Sequence, residues 1–277
     1  MELCDNMYGD LHLHTSFSDG VFSPEEVVKK AQEVGLEVIS ICDHDSIEGI
    51  LPAIRAGKVL GIKIVPGVEI SADLDKSDLH ILGYFFNLKD LNLRQKLKEL
   101  HQARLSRAEK IIKKLNQLGV KISLKGVLQI AGEGSLGRPH IAKAIVQAGY
   151  TNDEKEAFKK YINRDKPAYV PHDKITPFAA ISLLLGAGGI PVLAHPNLNL
   201  KDEIIPELVR AGLKGIEVYC PAHNQEQTLH YKRIAKRFNL LVSGGSDFHG
   251  PGSAVSHHLA KLEVPSWVKE RIQGREQ

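Results

Sequence analysis

Residues 10–20 read Asp-Leu-His-Leu-His-Thr-Ser-Phe-Ser-Asp-Gly, and this stretch places two histidines and two acids within eleven residues. Side chains alternate between the two faces of a strand, so His12 and His14 point the same way if residues 10–14 are extended. Asp19 follows in a loop rich in Ser and Gly, which suits a tight turn and can return its carboxylate to the two imidazoles. The stretch therefore predicts a metal site at the end of a first strand.

The composition narrows the class of protein. The 277 residues include 13 histidines, about twice the number we expect, and this favours metal or acid–base chemistry. Three cysteines without a Cys-x-x-Cys pair indicate neither a zinc ribbon nor a disulfide framework. The N-terminus shows no signal peptide, and Gly and Pro interrupt the most apolar stretch, residues 179–194. We therefore expect a cytoplasmic protein that does not span a membrane.

Strand patterns alternate with helix patterns up to residue 88 and again from residue 167, which predicts an α/β barrel domain made of residues 1–88 and 167–277. Residues 89–166 instead show consecutive helix patterns and no strand. This segment carries 18 lysines and arginines against 8 acids, whereas the rest of the chain is acidic. The sequence thus predicts a basic helical insertion in the barrel.

Six more side chains with ligand chemistry lie at or just beyond the ends of predicted strands. They are His44, Glu69, His80, His195, Asp247 and His249. The C-terminal strand ends of a barrel converge on one mouth, where such folds carry their chemistry. With the first three residues they make a set of imidazoles and carboxylates that suits zinc, manganese or iron better than magnesium or calcium. We expect Asp43 or Asp45 to accept a hydrogen bond from a ring N–H of His44 and so fix its tautomer.

The insertion contains the short motif Gly137-Arg138-Pro139-His140. Proline suits the first turn of a helix, so Arg138 and His140 are expected around a helix N-terminus. Free N–H groups and the positive end of the helix dipole favour anions there, and phosphate would fit. An ordinary helix start with an exposed Arg138 is the alternative.

Six segments resemble, in order, the motifs of the polymerase and histidinol phosphatase (PHP) superfamily. They are Asp-Leu-His-Leu-His-Thr…Asp-Gly, Cys-Asp-His-Asp, Gly-Val-Glu-Ile, Leu-His-Ile-Leu-Gly-Tyr, Ala-His-Pro and Gly-Ser-Asp-Phe-His-Gly, spread over residues 10–250. The insertion with Gly-Arg-Pro-His, followed by Lys-Pro-Ala-Tyr-Val-Pro at residues 166–171, is similar to the branch of RNase AM-like and nucleoside 3',5'-bisphosphate phosphatases.

This resemblance implies a distorted (β/α)7 TIM-like barrel with an α-helical insertion and a trinuclear site for three divalent ions, Mn, Zn or Fe. The ligands it implies are His12, His14, Glu69 and Asp247 for one ion, Glu69 with His80 and His195 for a second, and Asp19, His44 and His249 for the third. It also implies that Arg138 and His140 are catalytic residues that contact the phosphate of the substrate.

The predicted function is that of a metal-dependent phosphoesterase. A metal-activated hydroxide would hydrolyse phosphate esters of nucleotides or short RNA, as in a 3',5'-nucleoside bisphosphate phosphatase or a 5'-3' oligoribonuclease. Three divalent ions exceed the charge of three carboxylates, and the basic insertion adds to this excess, so an anionic substrate is expected. The sequence indicates no obligate protein partner.

Three alternatives stay open at this point. Amidohydrolases also begin with His-x-His on a first strand, and they release ammonia or amines instead of phosphate. A histidinol-phosphatase-like enzyme would share the barrel, although the insertion points away from it. A degenerate PHP module without activity would be expected to lack some ligands, whereas all nine candidate ligands are present here.

Overall fold

The fold is an eight-stranded sheet that curls into a nearly closed barrel in a computed structural model, which describes residues 7–74, 77–132, 134–171, 175–196, 202–251 and 258–274. The strands are β1 (Tyr8–Leu13), β2 (Val38–Ile41), β3 (Lys63–Leu74), β4 (Ser77–Tyr84), β5 (Ile190–Leu193), β6 (Gly215–Tyr219), β7 (Leu241–Gly244) and β8 (Leu262–Glu263). Their order across the sheet is β7-β6-β5-β4-β3-β2-β1-β8.

The barrel closes where β1 meets the segment after β7. Leu13 pairs with Phe248, and the N–H of His14 donates to the carbonyl of Phe248 at 2.9 Å. Gly245 permits this approach, because a Cβ on it would lie 2.4 Å from the Cβ of His12. The first and the last of the predicted ligand motifs, on β1 and after β7, thereby lie side by side.

Most neighbouring strands are parallel, as expected for a β/α barrel, but β4 runs antiparallel to both β3 and β5. The prediction that every candidate ligand lies at or beyond a strand end is wrong for two residues. His80 lies within β4 opposite Ser71, and Glu69 lies within β3 opposite Leu82. The reversed direction of β4 still brings His80 to the mouth where its parallel neighbours end.

Helices cover the outside of the barrel and form the insertion. They are α1 (Pro24–Glu33), α2 (Ile50–Leu60), α3 (Leu91–Gln117), α4 (Leu124–Ala131), α5 (Arg138–Gln147), α6 (Glu154–Ala157), α7 (Pro177–Gly186), α8 (Ile205–Arg210), α9 (Gln225–Arg237) and α10 (Ser266–Gln273). A π-helical turn, Phe158–Ile162, continues α6, and a 3₁₀ turn, Asp202–Ile204, precedes α8. The predicted α/β barrel with a helical insertion is confirmed, whereas β8 and α10 were not predicted.

Helix starts follow the local chemistry of the sequence. Ser23 caps α1 by accepting from the N–H of Glu26, whose side chain accepts in return from the N–H of Ser23. Thr176 caps α7 by accepting from the N–H of Ala179, and Pro177 is the first residue of this helix. These caps fix where each helix leaves the barrel and so where the preceding loops run.

Helix α3 joins two hydrophobic cores. Its first half buries Leu93, Leu97 and Leu100 in the cluster that packs α7, α8 and α9 on the barrel. Its second half, residues 108–115, packs on α4 and α5 in a separate cluster. At 27 residues the helix is about 40 Å long, enough to reach across both. The helical segment is thus anchored to the barrel by the same helix that forms part of its own core.

Candidate metal centre

The structure brings the nine predicted ligands together at the barrel mouth. They come from β1 and its loop (His12, His14, Asp19), the end of β2 (His44), β3 (Glu69), β4 (His80), the end of β5 (His195) and the segment after β7 (Asp247, His249). Glu69, His12 and His14 are completely buried, and Asp247 is 9% exposed. Residues separated by more than 200 positions in the chain therefore share one pocket.

The tightest part of the pocket surrounds His12, His14, Glu69 and Asp247, whose ligand atoms lie within 4.8 Å of one another. His14 Nε2 lies 3.3 Å from Glu69 Oε2 and 3.1 Å from Asp247 Oδ1, and His12 Nε2 lies 3.5 Å from each of these oxygens. Ligands about 2.1 Å from a tetrahedral ion would be about 3.4 Å apart. The spacing thus fits a single ion.

Glu69 faces a second group with its other oxygen. Oε1 lies 2.8 Å from His80 Nδ1 and 3.0 Å from His195 Nε2. Glu69, His80 and His44 form a compact ligand group, and His44 Nδ1 lies 2.9 Å from Glu69 Oε2. His195 adjoins this group through Glu69, although its ligand atoms are not among those that all lie within 4.8 Å of one another.

A third group surrounds Asp19. It contains His14, Asp19, His44 and His249, with His249 Nε2 at 3.3 Å and His44 Nε2 at 3.9 Å from Asp19 Oδ1. The ring of His249 is held by its Nδ1–H, which donates to the carbonyl of Asp247 at 2.8 Å. Its Nε2 is thereby left to face Asp19.

Unpaired buried atoms test whether this pocket fits cations. Within the described part of the chain, six of the nine side chains carry a buried nitrogen or oxygen that makes no hydrogen bond. These atoms are His12 Nε2, His14 Nε2, Asp19 Oδ1, His44 Nδ1, Glu69 Oε2 and Asp247 Oδ1. A buried polar atom without a partner costs about 1–3 kcal/mol, so this concentration is unfavourable unless a ligand is bound. All six point into the groups described above, and the residues fit metal ions.

The charge states of two carboxylates and one imidazole also suit metal binding. Burial would raise the pKa of Asp247, but the nearby His12 and His14 hold it well below its ordinary value. Burial likewise opposes ionisation of Glu69, and His80 and His44 outweigh it and lower the pKa of Glu69. Burial lowers the pKa of His80 to about 4 despite the attraction of Glu69. Ionised carboxylates and a neutral imidazole are the forms that bind metals.

Several site residues have strained backbones. His195 has a φ of +25° and Asp247 a φ of +54°, in a region that side chains with a Cβ rarely adopt. They lie two and three residues beyond the ends of β5 and β7, where the chain turns to present each side chain to the pocket. Strain of this kind costs about 1–3 kcal/mol and is typical of functional sites.

Glu217 on β6 supports the pocket from behind, and sequence reasoning missed it. Its Oε1 accepts from His12 Nδ1–H at 3.1 Å, and its Oε2 accepts from the backbone N–H of His195 at 2.8 Å. The first bond turns His12 Nε2 towards Glu69 and Asp247. A fully buried carboxylate between Ile216 and Val218 was the available signal, because an unpaired acid is not expected in a covered strand.

The expectation that Asp43 or Asp45 bonds the ring of His44 is wrong. Asp43 instead accepts from the N–H and hydroxyl of Thr15, both at 2.7 Å, and from the hydroxyl of Ser18 at 2.6 Å. Ser18 Oγ in turn lies 3.3 Å from His14 Nδ1 and accepts a hydrogen bond from its N–H, because the Ser18 hydroxyl already donates to Asp43. Asp43 therefore orders the loop that carries Asp19.

Asp45 has a different partner, Arg104 from α3. The guanidinium donates to Asp45 Oδ2 at 2.7 Å from Nε and at 2.5 Å from Nη2, and Nη2 also donates to Ser71 Oγ at 2.7 Å. Burial would raise the pKa of Asp45, but Arg104 lowers it. The sequence signal was the apolar stripe of α3, since Arg104 lies one turn beyond Leu100 on the same face.

A cavity of about 280 Å³, called the arginine cavity below, opens beside the ligand groups. Its walls include three arginines (Arg104, Arg107, Arg138), the ring of Phe158 and the ligands Asp19, His44, His80 and His195. Burial and the proximity of Arg138 lower the pKa of Arg107 to about 10. Arg138 is a quarter exposed, and its nearest carboxylate oxygen, on Asp78, is 3.7 Å away. The cavity therefore has an excess of positive charge.

His140 does not line the arginine cavity but belongs to a neighbouring cavity. Its Nδ1 accepts from the N–H of Gly137 at 3.0 Å, so the ring closes the first turn of α5. Burial lowers the pKa of His140, which keeps the imidazole neutral. The ring lines a neighbouring cavity, whereas Arg138 lines the arginine cavity. The two residues of the predicted phosphate motif thus face different cavities.

A barrel whose mouth gathers imidazoles and carboxylates around shared oxygen atoms defines a class of metal-dependent hydrolases. The PHP domain family matches residues 10–164, more than half of the chain. A 5'-3' exoribonuclease from Haemophilus influenzae is 35% identical over 94% of this chain and 98% of that protein. A 3',5'-nucleoside bisphosphate phosphatase from Chromobacterium violaceum is 32% identical over 93% of this chain and 94% of that protein.

A solved structure agrees with these relatives. A protein from Bifidobacterium adolescentis, described as a metal-dependent phosphoesterase, superposes with a TM-score of 0.88 at 31% identity over 96% of both chains. This chain belongs to the PHP domain family. The predicted class of enzyme, a metal-dependent phosphoric ester hydrolase, is confirmed. In the described part of the chain, no helix is both long and apolar enough to cross a membrane.

Proposed function

We propose that this enzyme hydrolyses phosphate esters of 5'-phosphorylated nucleotides or short RNA. The observation that carries the proposal is the arginine cavity beside the ligand groups, because it offers positive charge next to the site of hydrolysis. The relatives support it, since one is named an exoribonuclease and another a nucleoside bisphosphate phosphatase. Residues 89–166 are, in this proposal, the insertion that carries substrate-binding residues to a barrel formed by residues 1–88 and 167–277.

Three divalent ions, Mn, Zn or Fe, belong to the proposal. One is held by His12, His14, Glu69 and Asp247, a second by Glu69, His80 and His195, and a third by Asp19, His44 and His249. His44 also lies close enough to Glu69 to serve the second ion. When bound, such ions polarise phosphoryl oxygens and lower the pKa of water towards neutrality. The protein's own part is to orient the ligands, mainly through Glu217 and Ser18.

The arginines determine how the substrate lies. Arg138 and Arg107 repel each other, and in the described part of the chain the carboxylate paired with Arg138, that of Asp78, is 3.7 Å away, so a phosphate dianion between the two arginines relieves the repulsion. Arg104 donates to the carboxylate of Asp45 and forms part of the wall of the arginine cavity. Arg138 is the proposed contact for a terminal phosphate that is not cleaved, and Phe158 beneath it, 5.7 Å from the guanidinium, offers a face for a base. His140 is proposed as a second substrate contact, from the neighbouring cavity.

The test compares substrates that do and do not carry the second phosphate. Metal-reconstituted enzyme is assayed on adenosine 3',5'-bisphosphate, 5'-phosphorylated di- to pentaribonucleotides, histidinol phosphate and an aryl phosphate. Arg138→Gln should lower kcat/KM for the nucleotides about ten- to a hundredfold more than for the aryl phosphate, because a charged hydrogen bond to the distant phosphate is lost. Equal losses on all substrates would contradict the role of Arg138.

A further inference from the structure

A separate cavity, called the α3 cavity below, lies between helix α3 and the loop that follows His44. It has a volume of about 650 Å³. Its walls come from residues 45–48, from one face of residues 91–101 in α3, and from Ser135 in the segment before α5. None of the nine proposed ligands lines it. The α3 cavity is therefore distinct from the place where the proposed reaction occurs.

One ion pair lies between the α3 cavity and the arginine cavity. Asp45 lines the α3 cavity, and its partner Arg104 lines the arginine cavity. Both oxygens of Asp45 are occupied, Oδ2 by Arg104 and Oδ1 by the backbone N–H of Ser71 at 2.9 Å. The guanidinium balances the charge of this carboxylate, so Asp45 does not by itself exclude an anion from the α3 cavity.

Basic side chains form one rim of the α3 cavity. Arg94, Lys98 and His101 are four and three positions apart, so they lie on the same face of α3, and all three are exposed. Glu48, from the loop, comes within 4.0 Å of Arg94. Two permanent cations on successive turns favour an anion with several acceptor oxygens, such as phosphate.

A buried hydroxyl in the wall has no partner. Ser135 is 3% exposed, and its Oγ makes no hydrogen bond within the described part of the chain. Its backbone N–H donates to the carbonyl of Phe17 at 2.8 Å, which fixes the position of the residue. A buried hydroxyl without a partner is unfavourable, and an acceptor oxygen bound in the cavity removes this cost.

The remaining walls suit a nucleoside attached to the phosphate. Ile47 and Leu97 are buried apolar residues of the wall, and Leu91, which is 80% exposed, can cover one face of a base. Gln95 offers a donor and an acceptor to the edge of a base, and Glu48 can accept from ribose hydroxyls. The volume lies within the range of about 300–1,000 Å³ that is typical of ligand pockets.

We propose that the α3 cavity is a second nucleotide site, which binds a nucleoside 5'-monophosphate and changes no covalent bond. The phosphate pairs with Arg94 and Lys98 and accepts from Ser135. A ligand there contacts both α3 and residues 45–48, so it stabilises the loop that directly follows the proposed ligand His44. This inference goes beyond the proposed function, and it assigns regulation of the metal centre to the class of nucleotide that the proposed reaction releases.

Equilibrium dialysis of adenosine 5'-monophosphate (AMP) with the full-length, metal-reconstituted enzyme counts the sites. We expect two per chain, one in the arginine cavity and one in the α3 cavity. Arg94→Gln and Lys98→Gln should each weaken binding to the α3 cavity about tenfold, because each removes a charged hydrogen bond, and should leave the other site unchanged. Arg138→Gln should have the opposite effect. Lys113→Gln, which changes an exposed lysine of α3 outside the α3 cavity, is the matched control and should change neither affinity.

Ser135→Ala tests the role of the unpartnered hydroxyl. The substitution breaks no hydrogen bond, so the melting temperature should not fall, whereas the affinity of the α3 cavity for AMP should drop about two- to tenfold. Inorganic phosphate should bind to this cavity at least about tenfold more weakly than AMP, because it lacks the contacts of the ribose and the base.

Hydrogen exchange locates the bound nucleotide. In Arg138→Gln, saturation with AMP should slow the exchange of the backbone amides of residues 45–48, because the ligand holds this loop against α3. Addition of Lys98→Gln to the same protein should abolish the effect. Both substituted side chains are at least partly exposed, and thermal melts show that each variant is folded.

The outcomes separate this inference from the proposed function. A single AMP site that is lost in Arg138→Gln, unchanged affinities in Arg94→Gln and Lys98→Gln, or equal affinities for AMP and phosphate would overturn the nucleotide site. Unchanged exchange at residues 45–48 would overturn its link to the metal centre. None of these measurements needs turnover, so an enzyme that is inactive on nucleotides and RNA would overturn the proposed function alone.

Discussion

Replacing Glu217 with Gln should weaken metal binding without changing any proposed ligand. The substitution keeps the shape of the side chain but turns one of its two acceptor oxygens into an NH2 donor. Both oxygens are in use, one by His12 Nδ1–H at 3.1 Å and the other by the N–H of His195 at 2.8 Å. Whichever way the amide turns, one of these donors faces another donor in a fully buried site.

The magnitude follows from those two bonds. A buried donor without an acceptor costs about 1–3 kcal/mol of stability. Loss of a carboxylate that orients a metal-binding imidazole lowers metal affinity about 10- to 100-fold. If the amide nitrogen faces His12, its Nε2 no longer has a fixed orientation towards Glu69 and Asp247. If it faces His195, the strained backbone at φ +25° loses a hydrogen bond that holds it.

Calorimetric titration of the metal-free variant with Mn²⁺ measures the affinity, and chemical denaturation measures the stability. Glu207→Gln, which changes an exposed carboxylate on α8, is the matched control and should leave both unchanged. We expect excess Mn²⁺ to restore most of the activity of Glu217→Gln, because the ligands themselves remain. Unaltered Mn²⁺ affinity in a variant of native stability would refute the supporting role assigned to Glu217.

Three further predictions concern protons, an ion pair and the closure of the barrel. Nearby carboxylates outweigh the effect of burial and raise the pKa of His12 and His14, so protons compete with metal for these imidazoles. The affinity for Mn²⁺ should therefore fall at least about tenfold from about pH 8 to about pH 6. Calorimetric titrations that give equal affinities at the two pH values would disprove this competition. Arg104→Gln leaves Asp45 buried without its cationic partner and should lower the free energy of unfolding by about 3–5 kcal/mol at neutral pH. This loss should shrink towards about pH 4, because the pKa of Asp45 is no longer depressed in the variant and protonation there removes the buried charge. Urea denaturation of both proteins at neutral pH and at about pH 4 measures the loss. A loss that does not depend on pH would count against the ion pair. Gly245→Ala places a methyl group 2.4 Å from the Cβ of His12 and should lower stability by more than about 1 kcal/mol; a melting temperature equal to that of the unmodified protein would contradict the tight closure.

Much of the fold could be predicted because the signals were local. The cap at Ser23, the glycine and proline breaks and the strand runs all depend on residues close in the chain. The 27-residue helix α3 followed from apolar spacing alone. The direction of β4 could not be predicted in this way, because a strand pattern has the same period whichever way the strand runs.

The residues of the candidate site also fall into those that local sequence signals reveal and those that depend on distant partners. Residues such as His12 and His14 could be proposed as ligands because their chemical types and spacing are visible in the sequence. Glu217 could not be placed, because its role depends on two partners that lie far away in the chain. Arg104 was hidden for the same reason, since its partner Asp45 lies 59 positions away. Assigning a supporting carboxylate or arginine requires knowing which strands and helices are neighbours.

These long-range bonds also connect the insertion to the ligand groups. Arg104 of α3 binds the carboxylate of Asp45, and the backbone N–H of Asp45 donates to the carbonyl of Glu69 at 2.9 Å. Asp45 directly follows His44, so one buried ion pair lies between a wall of the arginine cavity and two proposed ligands. Because Asp45 has a positive φ of +53°, it can reach Arg104 only while this strained turn is held. The order of the ligand groups and the shape of the arginine cavity are therefore coupled, and a change at Arg104 should alter metal affinity as well as substrate binding.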